Sequence, residues 1–227
     1  MKIVAFSNLV PTANDLIPVS LNSLPQHRST VSVFKRSIDV VGSIVGLCIL
    51  ALVFIPIALA IKLDSKGSIL YVQKRFGLRG QPFYICKFRS MVENADLLKD
   101  QVPNEAQGLV FKNKHDPRVT RVGRFLRRTS LDELPQFWNV LRGEMSLVGT
   151  RPPTEDEVTQ YESHHWQRLN VKPGLTGEWQ VSGRSEIHDF EQILKLDFQY
   201  QAKWTPLYDL QIIGKTLWIV FDRRGAY

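Results

Sequence analysis

Cysteine is nearly absent: Cys48 and Cys86 are the only two in 227 residues, and neither has metal-ligand spacing around it. That excludes a disulfide framework, and both are expected to be reduced, packed side chains in a cytosolic protein. Internal repeats and low-complexity runs are missing as well. No Walker-type phosphate loop, HExxH helix or Gly-rich dinucleotide turn occurs, so the commonest nucleotide and metalloprotease signatures are excluded. The first 33 residues lack the basic start and apolar centre of a secretory signal. With Pro11, Pro18, Pro25 and several Ser and Asn, they are expected to form a loosely ordered arm. The most informative absence is charge, because Val40 to Ile61 runs for 22 residues without one charged side chain.

That run meets the need for about 20 apolar residues to cross the hydrocarbon. A soluble core helix seldom continues so far without a polar face, so residues 34–63 are expected to enter a bilayer. Lys35 and Arg36 precede the run, and Lys62, Lys66, Lys74 and Arg75 follow it, which leaves no inside–outside asymmetry. Pro56 removes one helical hydrogen bond. A kink there would return the chain to the face it came from, a re-entrant segment; a simple span stays open. The net charge of +7 calls for an anionic partner: nucleic acid, acidic lipid or a phosphorylated substrate. Nucleic acid finds no binding motif beyond the charge and is not expected.

Residues 64–227 predict a helix-rich α/β domain. Ser68–Gln73 and Pro82–Phe88 read as strands around a turn at 77–80. Helices are expected at Glu93–Asp100, Val119–Arg128, Leu131–Leu141, Thr154–Leu169, Ile187–Lys203 and Tyr208–Phe221. Asn104–Pro117 is a polar loop long enough to serve as a lid. Trp204, Trp218 and Phe221 are candidates for the headgroup region or for the core.

The chemistry concentrates between Arg118 and Pro153. On a helix, Arg121, Arg124 and Arg128 share one face, a solvated stripe or a grip on lipid phosphates. Ser130-Leu131-Asp132-Glu133 follows. Its spacing fits a capping box, with Pro135 near a helix start. An ionised Asp among arginines is also how a nucleophile for phosphorus would be built.

The ordered motifs carry a resemblance. They are Lys35-Arg36 with Asp39, Lys87-Phe88-Arg89-Ser90-Met91, Asp116-Pro117-Arg118 and Ser130-Leu131-Asp132-Glu133-Leu134-Pro135. Asn139-Val140-Leu141, Gly143-Glu144-Met145-Ser146, Arg151-Pro152, Lys172-Pro173-Gly174-Leu175-Thr176-Gly177, Gln180-Val181 and Gly183-Arg184 complete the set. In this order, from about Phe34 to the C-terminus, the chain resembles the bacterial sugar transferases, small monotopic phosphoglycosyl transferases.

The resemblance implies a membrane-associated cytosolic domain behind a kinked re-entrant helix, on the cytoplasmic face of the bacterial inner membrane. It implies transfer of a sugar 1-phosphate from a UDP-sugar to polyprenyl (undecaprenyl) phosphate, with release of UMP, at the start of exopolysaccharide assembly. Asp132 matches the nucleophile and Glu133 the second member of its dyad. Lys87, Arg127 and Arg151 match phosphate-binding positions, and Mg²⁺ is the implied cofactor, held in part by Asp132. Pro56 matches the membrane break, although Ile55 stands where relatives carry serine. The brevity and polarity of 1–33 fit a minimal member without added spans. The tail Arg223–Tyr227 resembles members that transfer a hexose 1-phosphate. Membrane lipids are expected partners, and a homo-oligomer stays open. So does a different role, a non-catalytic anchored scaffold for glycosyltransferases.

Overall fold

The computed structural model describes residues 21, 24–183 and 186–222; most of the arm, Arg184 and the tail 223–227 lie outside them. The molecule is organised on helix α1, Val33–Asp64, whose first turn is capped by Ser32 Oγ accepting from Lys35 N. Its 32 residues reach about 48 Å at 1.5 Å per residue. One helix continues through Pro56, where a helix-break-helix was expected. Lys35, Asp39, Ser43, Gly46, Ile57, Ala58 and Ile61 are buried, with spacings that place them on one stripe. Val41, Ile44, Val45, Ile49, Leu52, Ile55 and Leu59 face outward and are exposed. Only 22% of its apolar window is buried, which is the reverse of a soluble core helix. Cys48 is exposed on this helix instead of packed inside.

The charges before the apolar run turn inward. Lys35 Nζ donates to Asp209 Oδ2 (2.7 Å), Val148 O (2.9 Å) and Tyr200 OH (3.3 Å). Arg36 donates to Val140 O and Leu141 O, satisfying carbonyls at the end of a short helix. Asp39 Oδ1 accepts from Ser146 Oγ and Leu147 N, both at 2.8 Å. Gly46 lets the helix lie on the Phe137 ring, since a Cβ there would come within 2.4 Å of it. About 17–23 Å beyond Gly46 by the same rise, Ile57 and Ile61 pack on Phe88 and Leu126. One domain therefore grips both ends of the apolar helix.

Strands β1 (Leu70–Phe76) and β2 (Pro82–Phe88) form an antiparallel hairpin paired from Leu70↔Phe88 to Phe76↔Pro82. Arg79 takes a left-handed φ of 55° in its turn. Helix α2 is Arg121–Arg128. A 3₁₀ segment, Leu131–Gln136, then leads into α3, Phe137–Arg142, in place of one continuous helix. Strand β3 (Ser146–Val148) lies parallel to β4 (Gly174–Thr176). Neither was expected, because three residues show no alternation to read.

The helix expected over Thr154–Leu169 is only α4, Glu155–Val158, followed by a 3₁₀ turn at His165–Asn170. His165 Nδ1 accepts the Glu162 N–H, a local side-chain bond that competes with helix continuation. After the short α5 (Glu178–Val181) come α6 (Phe190–Lys203) and α7 (Pro206–Asp222). They close over β3 through a core of Val148, Val171, Tyr200 and Ile212. Trp204 joins that core and donates Nε1 to Asp209, while Trp218 is 71% exposed. The described end of the arm is ordered against the domain: Leu21 packs on Phe76 and Trp166, and His27 Nε2 bonds Gln201 O.

Lys35 and Asp209 are both buried, so removing one leaves the other charge stranded, at a cost of about 3–5 kcal/mol. Asp209→Leu alone is expected to lower the melting temperature in detergent sharply, and Lys35→Met/Asp209→Leu to recover most of it. Equal losses in the single and double variants would show that the pair does not hold α1.

Candidate active site

A cleft of about 1200 Å³ opens between the hairpin, the 3₁₀ segment and the start of α4. All five polar site residues expected from the sequence line it: Lys87, Arg127, Asp132, Glu133 and Arg151. The last one, Pro56, belongs to α1 and not to the cleft.

Local backbone explains how the carboxylates arrive there. Ser130 adopts a left-handed φ of 55° and turns the chain out of α2. Its side chain makes no cap bond, so the capping-box reading does not hold at this position. Asp132 follows, only 7% exposed. Glu133 reaches across to β2, where its Oε1 accepts from Lys87 Nζ at 2.8 Å. The capping box lies instead at Thr154 and Glu157.

The cations are set from three directions. Arg127, in the last turn of α2, donates Nε to Ser90 Oγ at 2.9 Å. Helix α2 approaches that strand end because residue 123 is glycine; a Cβ there would stand 1.9 Å from Ser90 O. Arg121, Arg124 and Arg128 stay on the exposed face, beside a half-exposed Phe125. Arg151 Nη1 bonds both oxygens of Glu157, at 2.9 and 3.0 Å. Burial alone would raise Glu157, but Arg151 and Arg75 together hold its carboxyl below the usual range. The Asp-Pro-Arg motif is a buried bracket: Arg118 Nε and Nη2 meet the Asp116 carboxylate, and Nη1 ties to Ala95 O. Burial works against ionisation of Asp116, yet the Arg118 bonds prevail and its pKa is lowered.

The expected lid loop is fastened. Gln107 N donates to His188 O, and Lys112 Nζ donates to Ile187 O while standing over the Trp179 ring. Sequence reasoning passed over Arg75 and Glu157. Arg75 was taken as a flanking charge, and Glu157 had no signal beyond the acidic run Glu155-Asp156-Glu157.

Neighbouring carboxylates on Asp132 and Glu133, lining a cleft rich in cations, form an oxygen donor set that suits a hard divalent ion such as Mg²⁺. Among the described residues, His164, His165 and Glu191 form a cluster of three with ligand spacing. There His165 Nδ1 accepts a backbone N–H, so Nε2 carries the proton and donates to Glu191. No lone pair is left on that ring for a metal.

A profile of the family described as bacterial sugar transferase matches residues 30–223. A galactosyl transferase of Streptococcus agalactiae is 48% identical, over 85% of this chain and 43% of its own length. A UDP-glucose:undecaprenyl-phosphate glucose-1-phosphate transferase of Escherichia coli is 41% identical over 85% of this chain and 41% of its own. The chain thus spans less than half of these two relatives. An exopolysaccharide production protein of Sinorhizobium fredii is 40% identical over 90% of this chain and 94% of its own length.

A depressed native pKa at Glu157 contributes stability that is present above its ordinary value of 4.5 and is lost as pH falls through the lowered one. Glu157→Gln removes that contribution. The melting-temperature gap between wild type and variant is expected to be wide at about pH 7 and to close toward about pH 3. A gap independent of pH would mean that Glu157 is not held ionised by Arg151 and Arg75.

Proposed function

Because the chain belongs to the bacterial sugar transferase family, we propose that it moves a sugar 1-phosphate from a UDP-sugar to polyprenyl phosphate through a phosphosugar-aspartate. The observation that carries this reading is the convergence of Asp132 and Glu133 with Lys87, Arg127 and Arg151 in one cleft. Names among the relatives supply the substrate classes: one is called an undecaprenyl-phosphate galactose phosphotransferase and another a glucose-1-phosphate transferase. On that basis a hexose is the proposed sugar.

In the first half-reaction an Asp132 carboxylate oxygen attacks the phosphorus that bears the sugar. The new aspartyl O–P bond forms as the P–O bond to UMP breaks, and the electron pair leaves on the UMP phosphate. In the second, an oxygen of polyprenyl phosphate attacks the same phosphorus, and the aspartyl O–P bond breaks to restore the carboxylate. Lys87, Arg127 and Arg151 supply fixed positive charge where negative charge gathers in both steps, and such preset charge needs no reorganisation during reaction. Glu133, bonded to Lys87, orients that ammonium. Asp132, with Glu133 adjacent, would hold Mg²⁺, which would add positive charge at the diphosphate.

Helix α1 supports placement at a membrane. Its outward face is a continuous apolar surface, larger than a soluble monomer usually exposes. Both its ends contact the same domain, which supports a re-entrant helix lying in one leaflet, with Pro56 on its exposed course. The domain then rests on the cytoplasmic side of the inner membrane, where UDP-sugars are found, and exposed Trp218 of α7 suits the headgroup region.

Asp132→Asn is expected to abolish turnover and the covalent adduct, read by intact mass after incubation with labelled UDP-sugar. An adduct on that variant would refute the nucleophile. Chelation with EDTA is expected to stop UMP release, and undiminished release would exclude the metal. Membrane-impermeant thiol labelling at cysteines engineered at positions 2 and 227 is expected to fail from the periplasmic side at both. Labelling at one alone would mean a true span.

A further inference from the structure

One cation of the cleft has its geometry fixed and its charge left unanswered. Arg75 on β1 donates Nε and Nη2 to Gln73 Oε1, at 3.0 and 2.6 Å, and Nη1 to Pro152 O at 2.8 Å. Both acceptors are neutral. The buried carboxylate nearby, Glu157, is taken up by Arg151 and by the backbone N–H of Thr154. Two guanidiniums thus share one negative charge. Burial foremost, and then the proximity of Arg151, push the Arg75 guanidinium down to about 10. It is still protonated at neutral pH, and Glu133 is close enough to favour its charged form. Arg75 and Arg151 line the cleft together with Asp132 and Glu133.

A part-buried cation that must share its counter-charge with a second cation is costly. Gln73 makes the arrangement informative. A carboxylate of the same shape at position 73 would form an ion pair with Arg75 and stabilise the hairpin more strongly. The amide locks the guanidinium plane and leaves its charge available to an incoming anion.

We propose that Arg75 is a substrate-binding residue for a phosphate ester, paired with Arg151 in the cleft, and that Gln73 is its positioning residue. The proposal rests on the reading of the chain as a nucleotide-sugar transferase. The phosphate is that of the UDP-sugar or that of the polyprenyl carrier, and the two are separable by kinetics.

The test uses the full chain in detergent and titrates it calorimetrically with UMP and, separately, with pyrophosphate. Gln73→Glu is expected to leave the melting temperature unchanged or raised, while anion affinity falls about 10- to 100-fold, the range of a charge-assisted contact. Arg75→Lys, which keeps the charge and loses the fork, is expected to lose less than Arg75→Gln. A rise in KM confined to the UDP-sugar assigns the donor phosphate, and one confined to polyprenyl phosphate assigns the carrier. Unchanged anion affinity in a folded Gln73→Glu, or equal losses in Arg75→Lys and Arg75→Gln, overturns the proposal. If the wild type binds pyrophosphate but neither binds UMP nor releases it from any UDP-sugar, the proposed function fails. The pyrophosphate series then still decides for or against Arg75 as an anion site.

Discussion

Everything in the cleft depends on one apolar seam, in which Ile57 and Ile61 of the long helix press on Phe88 and Leu126, with Leu131 at its edge. Each of the three residues on the domain side has a site residue as its chain neighbour. Lys87 precedes Phe88, Arg127 follows Leu126, and Asp132 follows Leu131. Burying one such side chain contributes about 1.5–3 kcal/mol, so the seam fixes three backbone points with energy to spare. The polar neighbours are then aimed by those anchored points and not by their own contacts alone. The long apolar helix and the cation-lined cleft are in this way parts of one packing unit.

The same economy governs charge. Among the described basic residues some hold the fold, some stand on the open surface and some face the cleft. Lys35 and Arg118 are buried against carboxylates, and Arg36 against backbone carbonyls. Arg168, fully buried, is paired with Asp197 and bonded to Tyr161. These pairs are locally neutral and draw no anion. The cleft is different, because Arg75 and Arg151 share one carboxylate between them. A surplus of positive charge in a partly enclosed space is worth more than the same surplus on an open surface, since solvent screens it less. The overall basic character of the sequence therefore says less about its ligand than the location of the unmatched fraction does.

What was legible in the sequence divides along the same line. The apolar run, the second strand of the hairpin at Pro82–Phe88 and the five cleft residues were readable, because each sits in a local pattern or an ordered motif. Lys35 and Arg36 read as charges flanking a membrane segment, and their true partners lie more than a hundred residues away at Asp209 and Val140. No window of sequence contains such a pair. Strands β3 and β4 were invisible because three residues carry no period, and the helix expected at Thr154–Leu169 was interrupted by a histidine that captures a backbone N–H. Arg75 and Glu157 were missed for a related reason: the meaning of each charge lies in how many opposite charges surround it.

The same balance bears on the proposed role of Asp132. Its side chain is only 7% exposed, and a buried charge needs partners. Fixed cations line the same cleft, and in the proposed reaction they would also stabilise a phosphorus centre acquiring negative charge. One set of side chains would thereby serve both the buried carboxylate and the proposed transition state. Placing them beside the seam adds the remaining requirement. A proposed acceptor whose tail stays in the hydrocarbon would bring only its head to the cleft, and Phe88 and Leu126, packed on α1, hold Lys87 and Arg127 beside that helix. If α1 lies in a bilayer as proposed, the seam that orders Asp132 also sets it beside the lipid.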